Sequence, residues 1–329
     1  MNLIIGSHVS FNNKKQLLGS VEEAISYNAN TFMIYTGGAQ STMRSVINDE
    51  LTYEGYKLML ENNINAKNVI VHAPYIVNLA NRSDKNKYDF YIDFFIKELD
   101  RCKTLGLDKI VLHPGSATTC TKEEAIENIV HGINLVYKST TNTMILLEFM
   151  SGKGTEVGTS IDELKAIIDK IEDKNRIGVC LDTCHMNDAG IDISKIDEFL
   201  DEFDSKIGID KIKCFHINDS MNPIGSHKDR HANIGYGTIG FNNLLNVVYN
   251  KRLEGIPFIL ETPYINRNQS DAYAPYKMEI ESIRKKEFID FINKWYIVYC
   301  IYIYVQLLHI VFHKYLEFVN KIKSLLIIQ

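Results

Sequence analysis

Eight short apolar runs, each followed by a longer stretch of helical periodicity, constrain this chain more than any other feature. The runs cover 3–9, 31–35, 68–71, 109–112, 144–147, 177–181, 212–215 and 257–260. Helical patterns follow at 15–27, 50–62, 83–105, 122–137, 161–171, 196–207, 241–249 and from 278 onward. The runs are apolar at nearly every position rather than at alternate ones. That is the pattern of strands buried on both faces in a parallel sheet. Eight βα units within about 290 residues predict a TIM (β/α)8 barrel. The alternative is an open doubly wound sheet, but no G-x-G-x-x-G motif follows the first run.

Polar residues mark the ends of six consecutive runs. They are His72, His113, Glu148, Asp182 (with His185 just beyond), His216 and Glu261. In a barrel these ends converge on one face, where active sites are built. The loop after the seventh run adds Asp229 and His231. A single buried His or carboxylate is easily satisfied by hydrogen bonds. Four carboxylates crowded together repel one another and resist desolvation, and cations resolve both problems. Five imidazoles and four carboxylates exceed what one ion takes and suit two or three. The imidazole-rich set favours zinc, and the carboxylates keep manganese open at one site.

Composition adds bounds. Apolar residues make up 45% and charged residues 23%, an ordinary globular balance. The net charge of −5 signals no nucleic acid globally, so any DNA contact needs a local basic face. No basic region followed by a long apolar stretch opens the sequence, and no signal peptide is expected. The cytoplasm is the expected location. The six cysteines form no C-x-x-C pair and read as reduced thiols. Cys180, Cys184 and Cys214 could serve as soft ligands, but small buried residues at strand ends account for them more simply.

The motifs then resemble one family. They are G-S-H-V-S at 6–10, V-H-A-P-Y at 71–75, L-H-P-G-S at 112–116 and G-V-C-L-D-T-C-H at 178–185. H-I-N-D-S follows at 216–220, K-D-R-H at 228–231 and I-L-E-T-P at 259–263. In this order they resemble the endonuclease IV family of zinc-dependent apurinic/apyrimidinic (AP) endonucleases, over roughly residues 1–287. The resemblance implies three zinc ions. His72, His113 and Glu148 would hold one. Glu148 would bridge to a second, held also by Asp182, His216 and Glu261. His185, Asp229 and His231 would hold the third. A metal-bound hydroxide would attack the phosphorus 5′ to an abasic site, leaving a 3′-hydroxyl and a 5′-deoxyribose phosphate. Glu148 and Glu261 would be the catalytic carboxylates, Glu261 also orienting the attacking water. Tyr75 and Ile76 would enter the duplex at the lesion. Gln40, Arg44 and Arg230 are further candidates for DNA contact, and Lys153 and Lys228 share the active face. The implied partner is double-stranded DNA carrying abasic sites, with the enzyme acting as a monomer and no protein partner implied. The main rival is a sugar isomerase or epimerase on a related metal-dependent barrel, which would lack the third trio. A non-catalytic scaffold has no need of nine such ligands.

One stretch departs from the family. A catalytic domain of 1–290 is followed by an atypical hydrophobic extension, 291–329, with an almost uncharged run at 295–312. Its length barely reaches a membrane span, and four tyrosines interrupt it. A helix packed on the barrel, an oligomer contact and an extension without function are the other readings. Every expected ligand precedes residue 262. Removing 295–329 should therefore leave nuclease activity intact, as an incision assay on the shortened protein would show.

Overall fold

The computed structural model describes residues 3–266 and 268–292. The hydrophobic run at 295–312 lies outside them. Among the described residues no helix is long and apolar enough to cross a membrane.

Within the compact unit Met1–Glu287, eight parallel strands close into the expected barrel. They are β1 (Ile5–His8), β2 (Thr31–Ile34), β3 (Ile70–His72), β4 (Lys109–Leu112), β5 (Met144–Glu148), β6 (Ile177–Asp182) and β7 (Ile212–His216), closed by Phe258–Leu260. Helices α1 (Gln16–Ser26), α2 (Asp49–Glu61), α3 (Lys85–Thr104), α4 (Lys122–Ser139) and α5 (Ile161–Ile168) follow the first five strands. Two features escape the sequence pattern. A short helix, α6 (Thr183–Ala189), starts directly on β6 and precedes α7 (Ile196–Lys206). A small antiparallel ribbon joins β8 (Asp219–Ser220) to β9 (His231–Ala232) across the loop after β7. Then come α8 (Phe241–Val248), the closing strand β10 (Phe258–Leu260) and α9 (Tyr276–Lys285).

Caps set several helix starts. Asp84 accepts from the Lys87 amide ahead of α3, and Ser160 from Glu163 ahead of α5. Thr121 and Glu124 form a reciprocal capping box on α4. Each cap satisfies amides that the first helical turn would otherwise leave orphaned.

Strand alternation splits the core in two. Phe32, Val71, Ile110, Leu147, Leu181, Phe215 and Leu260 point outward and pack beneath the helices. Met33, Ile70, Val111, Leu146, Cys180, Cys214 and Ile259 point inward and form a separate buried cluster inside the barrel. Side chains alternate faces along a strand, so the residue two positions further on returns to the interior. From those seven residues, two steps along the chain lead to Tyr35, His72, His113, Glu148, Asp182, His216 and Glu261. The strand pattern thus delivers the candidate ligands as a ring at the barrel's C-terminal mouth.

Closure is tight at the first strand. Gly6 pairs with Thr31, and a Cβ on Gly6 would stand 1.8 Å from the Thr31 carbonyl oxygen. No rotamer change relieves a clash between backbone atoms. Gly6→Ala is expected to cost about 3 kcal/mol or more, about 6 °C or more in Tm. Thermal unfolding of the variant checks this.

Candidate metal centre

Glu148 sits at the centre of the ring, fully buried at the end of β5. Its Oε2 lies 3.2 Å from His72 Nε2 and 2.9 Å from His113 Nε2. Its Oε1 lies 2.9 Å from His216 Nδ1, which is also 3.1 Å from Glu261 Oε2. Burial pushes the Glu148 carboxyl up, but His216 and His113 outweigh it and hold it well below the ordinary range. Glu261 is lowered in the same way, chiefly by His216 acting against burial.

The imidazoles are aimed from behind. His72 Nδ1 lies 2.7 Å from the Ala73 carbonyl, His185 Nδ1 3.0 Å from the Phe149 carbonyl, and His231 Nδ1 3.1 Å from the Glu261 carbonyl. A carbonyl oxygen only accepts, so the hydrogen-bond network assigns the proton to Nδ1 in each ring. Each Nε2 lone pair is thereby turned into the mouth. This is how proteins orient metal-binding histidines.

Asp182 has two tasks. Its Oδ1 caps α6 by accepting from the His185 amide at 2.9 Å, which places His185 on the first turn of that helix. Its Oδ2 accepts from Asn218 Nδ2 at 2.7 Å and lies 3.8 Å from both His216 Nδ1 and His231 Nε2. Asn218 also accepts from the Glu261 amide at 3.0 Å, so one amide side chain braces two ring carboxylates.

The β7–β10 connection brings the last residues in. Asp229 Oδ1 lies 3.1 Å from His185 Nε2 and 3.5 Å from His231 Nε2. Burial would raise the Asp229 carboxyl, but the hydrogen bond and charge of His185 bring it down to about 2. Asp229 has φ of +56°, a strained region for a residue with a Cβ. Asp188 holds it there. Its carboxylate accepts from the Asp229 amide (2.9 Å), Ser220 Oγ (2.7 Å) and Asn222 Nδ2 (3.2 Å). Asp219 anchors the far side by accepting from the amides of Gly235, Gly237, Ile239 and Gly240. Asp188→Ala would remove the acceptor of the Asp229 amide and of Asn222 Nδ2, at about 2–4 kcal/mol. Lower Tm and a selective loss of ion binding at Asp229 are the expected results, measurable by calorimetry and metal analysis.

All nine candidates therefore meet at one mouth. The ligand atoms form three compact groups. They are His72 with His113 and Glu148; Glu148 with Asp182, His216 and Glu261; and Asp182 with His185 and His231. Asp229 touches the last group through both of its histidines. The residues fit divalent ions. Lone pairs aimed at carboxylates repel unless a cation or added protons lie between them, and the Nε2 of His231 is buried with no hydrogen-bond partner.

The DNA candidates separate. Tyr75 is 51% exposed, with its ring 5.3 Å from that of His113. Its amide donates to the Ala39 carbonyl at 3.1 Å, tying the loop after β3 to the one carrying exposed Gln40. Ile76 is half-buried against the core. Arg230, Lys228 and Lys153 are exposed. Arg44 faces inward instead. Its Nε donates to buried Glu98 at 2.7 Å, its Nη1 to the Ser41 and Met43 carbonyls, and it covers the Phe94 ring. The guanidinium thus holds its own loop against α3.

Sequence reasoning gave no role to two mouth residues, Tyr35 and His8. Tyr35 stands 5.1 Å from the His72 ring and 5.0 Å from His8. The period-two rule that finds the other ring members finds these too.

Comparison with known proteins settles the lineage. A family model described as a xylose isomerase-like TIM barrel matches residues 21–286. The chain is 48% identical over 287 residues to a probable endonuclease 4 of Mycoplasma mycoides, covering 87% of this chain and 98% of that one. This chain belongs to the endonuclease IV family. The crystal structure of endonuclease IV from Thermus thermophilus superposes with a TM-score of 0.72 at 27% identity, over 85% of this chain and 97% of that one. A D-tagatose 3-epimerase-like protein superposes at 0.62 with 19% identity, over 85% and 96%, and shares the fold. Within the endonuclease IV family the mouth described here is the expected place for metal-dependent chemistry.

Proposed function

We propose that this endonuclease IV family member hydrolyses the phosphodiester on the 5′ side of an abasic site in duplex DNA, in base excision repair, with three zinc ions at the barrel mouth. The observation that carries the reading is Glu148, one carboxylate shared between two groups of ligands, with a third group closed by Asp229 and His231. Bound zinc would lower the pKa of water to supply the nucleophile and would neutralise the phosphate oxygens and the departing 3′ oxygen.

His72 and His113 would hold the first ion with Glu148. Glu148, Asp182, His216 and Glu261 would hold the second. His185, Asp229 and His231 would hold the third, with Asp182 close by. Manganese suits the carboxylate-rich second group as an alternative. Glu261 is more open than the buried Glu148 and Asp182, with its side chain 14% exposed, and would orient attacking water. Tyr75 presents an exposed ring beside His113 and, with Ile76, would fill the gap left by the missing base. Gln40 and Arg230 would meet the backbone around it, with Lys228 and Lys153 offering charge to phosphates. The products are a 3′-hydroxyl and a 5′-deoxyribose phosphate.

The epimerase reading shares the barrel but gives no account of His185, Asp229 and His231 as a third group. The test is incision of a duplex carrying one abasic analogue. Cleavage on the 5′ side, lost on chelation and restored by zinc, is expected. A zinc-loaded protein that leaves the duplex intact while converting ketoses would reverse the assignment.

A further inference from the structure

A second cluster of metal-ligating atoms lies one layer below the ring. Cys180 on β6 and Cys214 on β7 are register partners on adjacent strands, both fully buried. Their Sγ atoms and a nitrogen of His216 all lie within 4.8 Å of one another. His216 Nδ1 is engaged above by Glu148 and Glu261, while its Nε2 is buried with no hydrogen-bond partner. The apolar residues packed in this layer are Met33, Ile70, Val111, Leu146 and Ile259.

We propose that Cys180, Cys214 and His216 form a site for one thiophilic ion such as Cd2+, Hg2+ or Cu+. Zinc-type bonds of about 2.3 Å to sulfur and about 2.0 Å to nitrogen set the scale, and ligand atoms within 4.8 Å of one another can converge on one ion. Binding Cd2+ to the chelated protein releases one proton from each thiol and the Nε2 proton of His216 to solvent, and no oxidant or reductant takes part. Two thiolates neutralise a divalent charge locally, which an apolar layer tolerates. Two sulfurs and one imidazole nitrogen favour a soft cation over a hard, strongly hydrated one, so softness selects the occupant. His216 serves both layers. An ion held by the thiols draws on the residue that the upper ligand set needs, so the lower site is inhibitory; this last consequence rests on the proposed role of His216 in the reaction.

The probe is Cd2+ titrated into the chelated full-length protein, read by the ultraviolet thiolate-to-metal charge-transfer band. The expected plateau has the intensity of two thiolates. It is lost in Cys180→Val and in Cys214→Val and kept in Cys184→Ala. Absence of the band in the wild type, or its survival in both valine variants, overturns the site. If a valine variant does not fold, 113Cd NMR of the wild type decides, since a resonance shifted by sulfur ligation is required and nitrogen–oxygen resonances alone would refute it. Where incision is observed, the Cd2+ concentration that halves it is expected to rise at least tenfold in Cys214→Val. An unchanged value would remove the inhibitory role while leaving the site to the spectra.

Discussion

Glu148→Gln is expected to abolish incision, with a loss of about a thousandfold or more. The substitution keeps the shape and removes one charge at the position where two ligand groups meet. Its amide nitrogen would face imidazole nitrogens that now lie within 3.2 Å of a carboxylate oxygen. The two groups that contain Glu148 should lose their ions together, whereas His231→Ala should weaken only the group formed with Asp182 and His185. Metal analysis beside the incision assay separates these cases. Retention of both ions with activity within tenfold of wild type would show that Glu148 is not a shared ligand.

The second large effect concerns chelation and pH. Burial would lower the pKa of His185, but Asp182 and Asp229 raise it well above 6.5. His216 is raised likewise, by Cys180, Glu261 and Glu148 against burial. In the chelated protein these two rings are held as cations among carboxylates, and on unfolding they return to ordinary values. Their stabilisation is fully present below about pH 6.5 and is lost as the pH rises through the folded values. Bound ions satisfy the neutral rings instead, so the loaded protein does not follow that decline. The gap in Tm between loaded and chelated protein should widen from mildly acidic to alkaline buffer. Scanning calorimetry across that range checks it, and a constant gap would mean that the imidazoles do not titrate between the two forms.

The barrel and the six mouth residues at strand ends were legible because both follow simple periods, whereas His185, Asp229 and His231 were legible from their motifs. Strands buried on two faces leave continuous apolar runs, and the first polar residue after each run must lie at the mouth. What the sequence hid obeys no period. The start of α6 is one example, because Asp182 serves as a ligand candidate and as a helix cap at once. The ribbon of Asp219–Ser220 with His231–Ala232 is too short to leave a pattern. The inward turn of Arg44 left no trace in the sequence because its partner, Glu98, lies far along the chain on α3. Asp188 and Asn218 act on ligands rather than as ligands, so their roles appear only once their hydrogen-bond partners are known. His8 and Tyr35 were within reach of the alternation rule, but their strands precede the run of obvious metal-binding types.

The two-residue step from the inner layer to the mouth divides labour within each strand. Met33, Ile70, Val111, Leu146 and Ile259 fill the barrel, while the residues two places on line the mouth. Exchanging a mouth side chain leaves the filling untouched, and inserting one residue between the two would turn the same side chain outward toward the helices. Such a lineage changes its reaction by substitution and is barred from doing so by slippage. The barrel is a socket with a fixed pin layout, into which different catalytic parts can be fitted without recasting the frame.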